Sequence, residues 1–288
     1  MSLNLVNRAL KVLFNPTVRL RADFPWGFAK GAKTYVIASL IFFAASLAPQ
    51  FLFIGLVMYL AMYKPDLLSY FMDGQLGQFN TLTLVSLVAT CFVCGFGAEL
   101  LYIRRCLHKQ GMKLRDTMAI SLNSLQGSWW AVIWRVLVAF AAVVVLTWLV
   151  QLLPLPEARG AAEELVGLFV KHPPALLIFS VLAVFAAPLF EELIFRGFVF
   201  NVLRTSLRAE RLRKILRSDN AADWAATFIS AALFAAAHLS LAAIPALFIT
   251  GVVLAELYRR SGTLIAPMLL HGVNNLVAVL LLCGHLLF

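Results

Sequence analysis

Residues 188–200 of this chain, PLFEELIFRGFVF, place three ionisable side chains inside an apolar stretch: Glu191, Glu192 and Arg196. An ionised side chain at bilayer depth costs about 2.5–3.5 kcal/mol on insertion scales, so such residues persist mainly where they face a protein interior. On a helix, Glu192 and Arg196 lie four residues apart in the acid-before-base order that favours pairing. The stretch therefore predicts a membrane helix with one internal ion pair, which leaves Glu191 free to act as a general base.

Two further apolar stretches carry polar residues that hydrocarbon would exclude. The stretch ALFAAAHLS contains His238 one helical turn after Phe234, and MLLHGVNNLVAVLLL contains His271 one turn before Asn275. Each pair therefore shares one face of its helix. An imidazole N–H and an amide NH₂ are both hydrogen-bond donors, so His271 and Asn275 together could stabilise a developing oxyanion.

The composition is that of a polytopic membrane protein. The chain has 288 residues, of which 62% are hydrophobic and 13% charged, with a mean hydropathy of +0.88. A soluble domain of this size cannot bury so much apolar surface, and several apolar runs exceed the roughly 18 residues that mark a transmembrane candidate. The four cysteines show no disulfide framework, and we interpret Cys91 and Cys94 as small hydrophobic residues.

We predict an all-α fold, a transmembrane bundle of about seven spans. The first run is about ten residues longer than a bilayer requires and contains Pro49, so it is kinked, tilted or partly interfacial. We count it as one span because each half would be too short to cross; its division would make eight. The predicted spans are 34–63, 81–103, 130–153, 174–203, 222–240, 242–258 and 263–287.

Three regions follow from this pattern. Residues 1–33 form a basic cytoplasmic segment with a short amphipathic helix at 3–14. Residues 34–173 hold the N-terminal spans, and residues 174–288 hold the spans with the buried charges, which we predict to be the catalytic core.

The basic residues indicate the orientation of the chain in the membrane. Nineteen lie in segments on one predicted side, against Lys64, Arg159 and Lys171 on the other. This asymmetry places the N-terminus in the cytoplasm and the C-terminus outside. The net charge of +10 is thus explained by topology and by contact with the lipid bilayer, and we expect no nucleic-acid partner.

Other charged residues have structural interpretations. Glu256 lies three and four residues before Arg259 and Arg260, so the three are expected to pair on one helix face. Glu99 and Arg135 are expected to extend toward the cytoplasmic interface.

Known intramembrane chemistries can be compared by their motifs. The chain has no HExxH zinc motif and no GxSG nucleophile loop, and its six aspartates lie outside the predicted spans or at their edges. The remaining set is Glu191, His238, His271 and Asn275, without an obvious covalent nucleophile. A non-enzymatic scaffold or immunity-type protein and an ion-coupled transporter are the competing classes.

Three motifs occur in this order: EExxxR at Glu191–Arg196, FxxxH at Phe234–His238 and HxxxN at His271–Asn275. Together they resemble the CAAX protease and bacteriocin-processing (CPBP) family of intramembrane proteases, which includes type II CAAX prenyl endopeptidases. The resemblance covers roughly residues 174–278.

The resemblance implies that Glu191 and His238 activate a water and that His271 and Asn275 stabilise the oxyanion. Family members have been described both as glutamate-type proteases and as metalloproteases, so Glu191, His238 and His271 could instead be ligands of an open zinc site. We expect the metal-free form and commit to no cofactor. The implied protein is an integral protein of the cell membrane, with its site open to the cytoplasm. The implied substrate is a peptide or a membrane-protein segment, prenylated or not.

Overall fold

The computed structural model describes residues 26–73, 78–114, 129–152, 173–238 and 240–287. The predicted amphipathic helix at 3–14 lies outside these residues. Within these ranges the eight main helices are α1 (Phe28–Tyr63), α2 (Thr81–His108), α3 (Trp129–Gln151), α4 (Pro173–Leu207), α5 (Glu210–Leu216), α6 (Asp219–Ala237), α7 (Ile244–Ser261) and α8 (Ile265–Leu287).

The prediction of an all-α membrane protein is confirmed. Apart from short helical turns at Pro65–Leu68 and Ser69–Phe71, the other regular structure among the described residues is one antiparallel pair of two-residue strands, β1 (Met72–Asp73) and β2 (Gln78–Phe79). This small hairpin lies between α1 and α2.

Five helices among the described residues are long and apolar enough to cross a membrane: α1, α2, Trp130–Val150 within α3, α4, and Ile265–Gly284 within α8. The predicted fifth and sixth spans correspond to α6 and α7, which have 19 and 18 residues. Both helices are present, but each carries charged residues in the turns at one end. The seven predicted spans therefore include these two helices, whereas the five candidate membrane helices do not.

Helix α1 is a single helix of 36 residues with Pro49 inside it, and it begins at Phe28 rather than at residue 34. At 1.5 Å per residue it is about 54 Å long, whereas a bilayer core of about 30 Å needs roughly 20 residues. The helix must therefore be tilted or extend beyond the hydrocarbon.

The expectation that Glu99 extends toward the interface is wrong, because its residue surface is only 4% exposed. One turn before it, a Cβ on Gly95 would come within 2.1 Å of Ser46 and 2.9 Å of Phe42 on α1. Glu99 therefore lies on the face of α2 that packs against α1. Arg135 donates to the backbone oxygen of Arg260 at 3.3 Å, so it contacts α7.

Helix α4 widens from α to π geometry twice along its length. It is α-helical at Pro173–Val181, π-helical at Leu182–Ala186, α-helical at Ala187–Glu192, π-helical at Leu193–Phe200 and α-helical again at Asn201–Leu207. Pro188 contributes to the change because it has no N–H for the helical ladder. Wide turns of this kind occur frequently at functional sites.

The carbonyl groups of the second π segment are bound by a side chain. Asn201 donates through Nδ2 to the backbone oxygens of Arg196 and Gly197, at 3.2 and 2.8 Å, and to the Tyr258 hydroxyl at 2.9 Å. Buried carbonyls without a partner are costly, so this amide stabilises the wide segment.

Small residues bring the helices of the C-terminal half close together. A Cβ on Gly251 of α7 would lie 3.0 Å from Cα and Cβ of Ala231 on α6, and a Cβ on Gly272 of α8 would lie 2.8 Å from the backbone oxygen of Val184 on α4. These close approaches place α6, α7 and α8 around the two glutamates of α4.

Candidate active site

Glu191 and Glu192 end the central α segment of α4, and their side chains face different surroundings. Glu192 is fully buried, and its Oε1 accepts a hydrogen bond from Arg196 Nη1 at 2.8 Å. Arg196 is also fully buried and donates through Nη2 to the backbone oxygen of Gly251 at 3.2 Å. Adjacent residues on a helix point about 100° apart, so Glu191 faces away from this pair.

Phe234 lies at the centre of the site. Its ring is 4.5 Å from the guanidinium carbon of Arg196, and its centroid is 4.8 and 5.7 Å from the rings of His238 and His271. One buried aromatic ring therefore supports the arginine of α4, the histidine that follows α6 and the histidine of α8.

His238 is the C-cap of α6 rather than a residue within a span, because the helix ends at Ala237. Its Nδ1 lies 2.8 Å from the backbone oxygen of Phe234. A carbonyl oxygen can only accept a hydrogen bond, so Nδ1 carries the proton, and in the neutral ring Nε2 has the lone pair. That Nε2 lies 3.8 Å from Glu191 Oε2.

His271 is buried and contacts both glutamates. Its Nδ1 lies 2.9 Å from Glu192 Oε1, and its Nε2 lies 3.8 Å from Glu191 Oε2. Since Glu192 is already paired with Arg196, it is an ionised acceptor, and Nδ1 of His271 is the donor.

Asn275 lies one turn after His271 and contacts the first π segment of α4. Its Nδ2 donates to the backbone oxygen of Ala183 at 2.8 Å. This bond uses one of the two amide hydrogens and anchors α8 to α4 beside the close contact at Gly272.

The structure thus brings Glu191, His238 and His271 together from three helices. Glu191 Oε2 is buried, lies equally far from both Nε2 atoms, and has no hydrogen-bond partner among the described residues. Side-chain exposure falls from 32% at His238 through 16% at Glu191 to 5% at His271. The site is therefore open to its surroundings beside His238 and closed beside His271.

Sequence analysis missed the contact between Glu192 and His271. It assigned Glu192 to Arg196 alone, whereas the same oxygen also binds an imidazole 79 residues later in the chain. No local signal predicts this contact, because it depends on how α8 packs against α4.

The described side chains provide no evident metal centre. No three His, Cys, Asp or Glu residues within the described ranges are arranged to hold a metal ion.

The residues of the site lie in a region that is similar to a known protein family. Residues 173–277 match the family described as type II CAAX prenyl endopeptidase Rce1-like. The membrane-embedded CAAX protease MroQ of Staphylococcus aureus (strain USA300) is 27% identical over 146 residues, which cover 51% of this chain and 54% of that protein. These matches support the CPBP/CAAX protease family. The chain thus spans about half the length of the curated relative it matches.

The CAAX protease match begins at the first residue of α4 and ends within α8, so it contains every residue of the candidate site. These matches support the family predicted from the three motifs, and together with the apolar helices they support an integral membrane protein. No solved structure matches the chain.

Proposed function

We propose that this protein is an intramembrane endopeptidase that hydrolyses a peptide bond of a membrane-associated or lipidated substrate. One observation carries the proposal: Glu191 Oε2 lies 3.8 Å from Nε2 of both His238 and His271. This spacing is too long for a direct hydrogen bond and suits a single water between the groups.

Glu191 and His238 are suited to hold and activate that water. The carboxylate oxygen and the unprotonated Nε2 of His238 are both acceptors, so a water between them donates one proton to each. Its lone pairs then point away from both groups, toward an incoming carbonyl carbon. Proton removal by a positioned side chain contributes typically about 10²–10⁴-fold to a reaction rate.

The reaction then proceeds by direct attack of water. The water oxygen bonds to the carbonyl carbon while Glu191 takes its proton, and the carbonyl electron pair moves to oxygen. His271 Nε2–H and the second amide hydrogen of Asn275 donate to that oxyanion. When the C–N bond breaks, the proton on Glu191 passes to the leaving nitrogen, which gives a carboxyl group and an amine.

The charges of the site are consistent with these roles. With both carboxylates ionised, Glu191, Glu192 and Arg196 together carry one net negative charge. One protonated imidazole brings the group to neutrality, and His271 is the histidine that contacts both glutamates. Low dielectric strongly favours such balance, and a doubly protonated His271 has the Nε2–H that an oxyanion needs.

Zinc chemistry would use Glu191, His238 and His271 as ligands, each about 2.0–2.2 Å from the ion. The mechanism proposed here uses only the protein's own acid, base and donor groups.

The most direct test compares membrane fractions of cells that produce the wild type, Glu191→Gln or the control Asp66→Asn, whose acid is exposed between α1 and α2. Peptide ends are mapped by mass spectrometry. We expect at least one new peptide end with the wild type and with Asp66→Asn that is absent with Glu191→Gln. Identical ends from wild type and Glu191→Gln would contradict a protease and favour the scaffold class.

A further inference from the structure

A second group of charged residues lies away from the candidate active site, where three helices meet. Arg204 is near the end of α4, Asp223 is in the second turn of α6, and Glu256 is in the last turns of α7. We call the following six residues the Asp223 cluster: Arg204, Arg208, Asp223, Glu256, Arg259 and Arg260.

One carboxylate is shared by three arginines. Asp223 Oδ1 accepts from Nε of Arg204 at 3.0 Å and from Nε of Arg208 at 2.9 Å, while Oδ2 accepts from Nη2 of Arg208 at 2.7 Å. Arg259 Nη1 lies 3.8 Å from the same Oδ2. Because Asp223 is buried, its negative charge is stabilised by these arginines and not by water.

The second carboxylate of the cluster is used by the other two arginines. Glu256 accepts from Nε and Nη2 of Arg259, at 2.7 Å each, and from Nε of Arg260. The prediction that Glu256 pairs with Arg259 and Arg260 is thus confirmed. Four guanidinium groups against two carboxylates leave the cluster with two excess positive charges.

Some guanidinium nitrogens of the cluster have no hydrogen-bond acceptor among the described residues. Arg204 binds Asp223 through Nε alone, and its two terminal nitrogens donate to no other described residue. Arg208 uses Nε and Nη2, which leaves Nη1. Guanidinium donors arranged around a point of excess charge bind phosphate oxygens well, because such bonds are charge-assisted and geometrically matched.

The surroundings of the cluster are those of a membrane interface. Leu207 ends the membrane-spanning helix α4, so Arg204 and Arg208 lie at its terminus. The guanidinium of Arg259 lies 5.7 Å from the ring of Trp224, and that ring stacks on Phe228 at 5.6 Å. Tryptophan is enriched at the level of lipid headgroups.

An apolar surface continues from this aromatic pair along α6. Phe228 is 46% exposed and its ring stacks on Phe248 of α7 at 6.3 Å. Ile229 and Leu233 are also exposed. A molecule held by the arginines would therefore find hydrocarbon-compatible surface directly beside them.

We propose that the Asp223 cluster binds the phosphate of an anionic phospholipid, with its acyl chains along Trp224 and Phe228. Basic pockets between membrane helices bind such headgroups by the same chemistry. Along α4, Arg204 lies thirteen residues after Glu191, about 20 Å at helical rise, so this site is separate from the candidate active site.

The proposal is tested on the full-length protein purified in a neutral detergent. Thermal unfolding is followed by tryptophan fluorescence during titration with short-chain phosphatidylglycerol, with phosphatidylcholine of the same acyl chains, and with inorganic phosphate. We expect saturable stabilisation by phosphatidylglycerol only. In Arg208→Gln its dissociation constant should rise about tenfold, as expected for loss of one charge-assisted hydrogen bond.

The matched control is Arg105→Gln, which removes an exposed arginine from the end of α2 and should leave the dissociation constant unchanged. If Arg208→Gln does not fold, Arg208→Lys keeps the charge but loses the bidentate geometry, and it should also bind more weakly than wild type. Equal stabilisation by phosphatidylcholine, or equal weakening in Arg105→Gln, would overturn the proposal. Stabilisation by inorganic phosphate as strong as that by phosphatidylglycerol would indicate a soluble anion as the ligand and would overturn it too.

Discussion

Glu192 Oε1 accepts hydrogen bonds from both Arg196 Nη1, at 2.8 Å, and His271 Nδ1, at 2.9 Å. One buried oxygen therefore connects the ion pair of α4 to the imidazole of α8. Removal of the Glu192 carboxylate would leave Arg196 Nη1 and His271 Nδ1 without this acceptor, and Arg196 is a fully buried cation. Glu191, by contrast, has no such structural partner among the described residues.

The two adjacent glutamates should therefore respond differently to the same substitution. Glu191→Gln should abolish cleavage and leave thermal unfolding in detergent nearly unchanged. Glu192→Gln should destabilise the protein, by about 3–5 kcal/mol for a buried pair broken on one side, because Arg196 is left without its counter-charge. Thermal melting and peptide cleavage are measured on the same preparations. Equal destabilisation by the two substitutions would contradict this division.

His238 should affect the rate more than the stability. Its side chain is about one-third exposed and follows the end of α6, so His238→Ala loses one hydrogen bond and one ring contact with Phe234 but leaves no buried charge unpaired. We expect a decrease in kcat of about 10²–10⁴-fold, as for loss of a side chain that helps to activate the attacking water. His108→Ala, at an exposed histidine near the end of α2, is the control and should retain full activity. Wild-type kcat in His238→Ala would remove His238 from the proposed mechanism.

Metal dependence separates the two mechanisms considered for this family. If Glu191 and His238 activate water directly, activity should survive prolonged chelation and metal-free preparation. If Glu191, His238 and His271 are instead zinc ligands, chelation should abolish activity, zinc should restore it, and elemental analysis should find about one zinc per chain that is lost in His238→Ala. We expect the first result. The second would replace the carboxylate mechanism by metal-assisted hydrolysis.

The contact between α8 and α4 should be sensitive to one methyl group. A Cβ on Gly272 would lie 2.8 Å from the backbone oxygen of Val184, whereas a Cβ on Gly284 of the same helix would meet no atom within 4 Å. Gly272→Ala should therefore destabilise the protein by about 1–3 kcal/mol, as overpacking does, and should lower activity by displacing His271. Gly284→Ala should do neither. The same melting temperature for both variants would show that the helices do not approach as closely as described.

Much of this architecture follows from sequence because its signals are local. Apolar runs predicted the helices, and the i and i+4 spacing predicted that Glu192 faces Arg196, since both depend only on the chain within a few turns. The three motifs predicted which residues would be neighbours through their resemblance to a family. No spacing in the sequence could locate His271 against Glu192 or Asn275 against Ala183, because these contacts are fixed by the packing of helices that are distant in sequence.

The position of His238 illustrates the same limit. An apolar pattern continues past it, so the sequence predicted a span to residue 240, whereas α6 ends at Ala237 and its C-cap histidine faces Glu191. Hydrophobicity locates a helix but does not determine where its last turn is replaced by a loop that serves a site.

The two π segments of α4 affect where the chain can lose a residue. A π turn holds about one residue more than an α turn over the same length, so deletion of a single residue within 182–186 could restore regular α geometry without changing the apolar character of the span. Because a π turn and an α turn complete the same rotation, Glu191 would then keep its direction toward the two histidines. The same deletion at 187–190, within an α segment, would instead rotate Glu191 by about 100° relative to the preceding part of α4. The first π segment is thus a position at which the length of the span can change while the glutamates keep their direction.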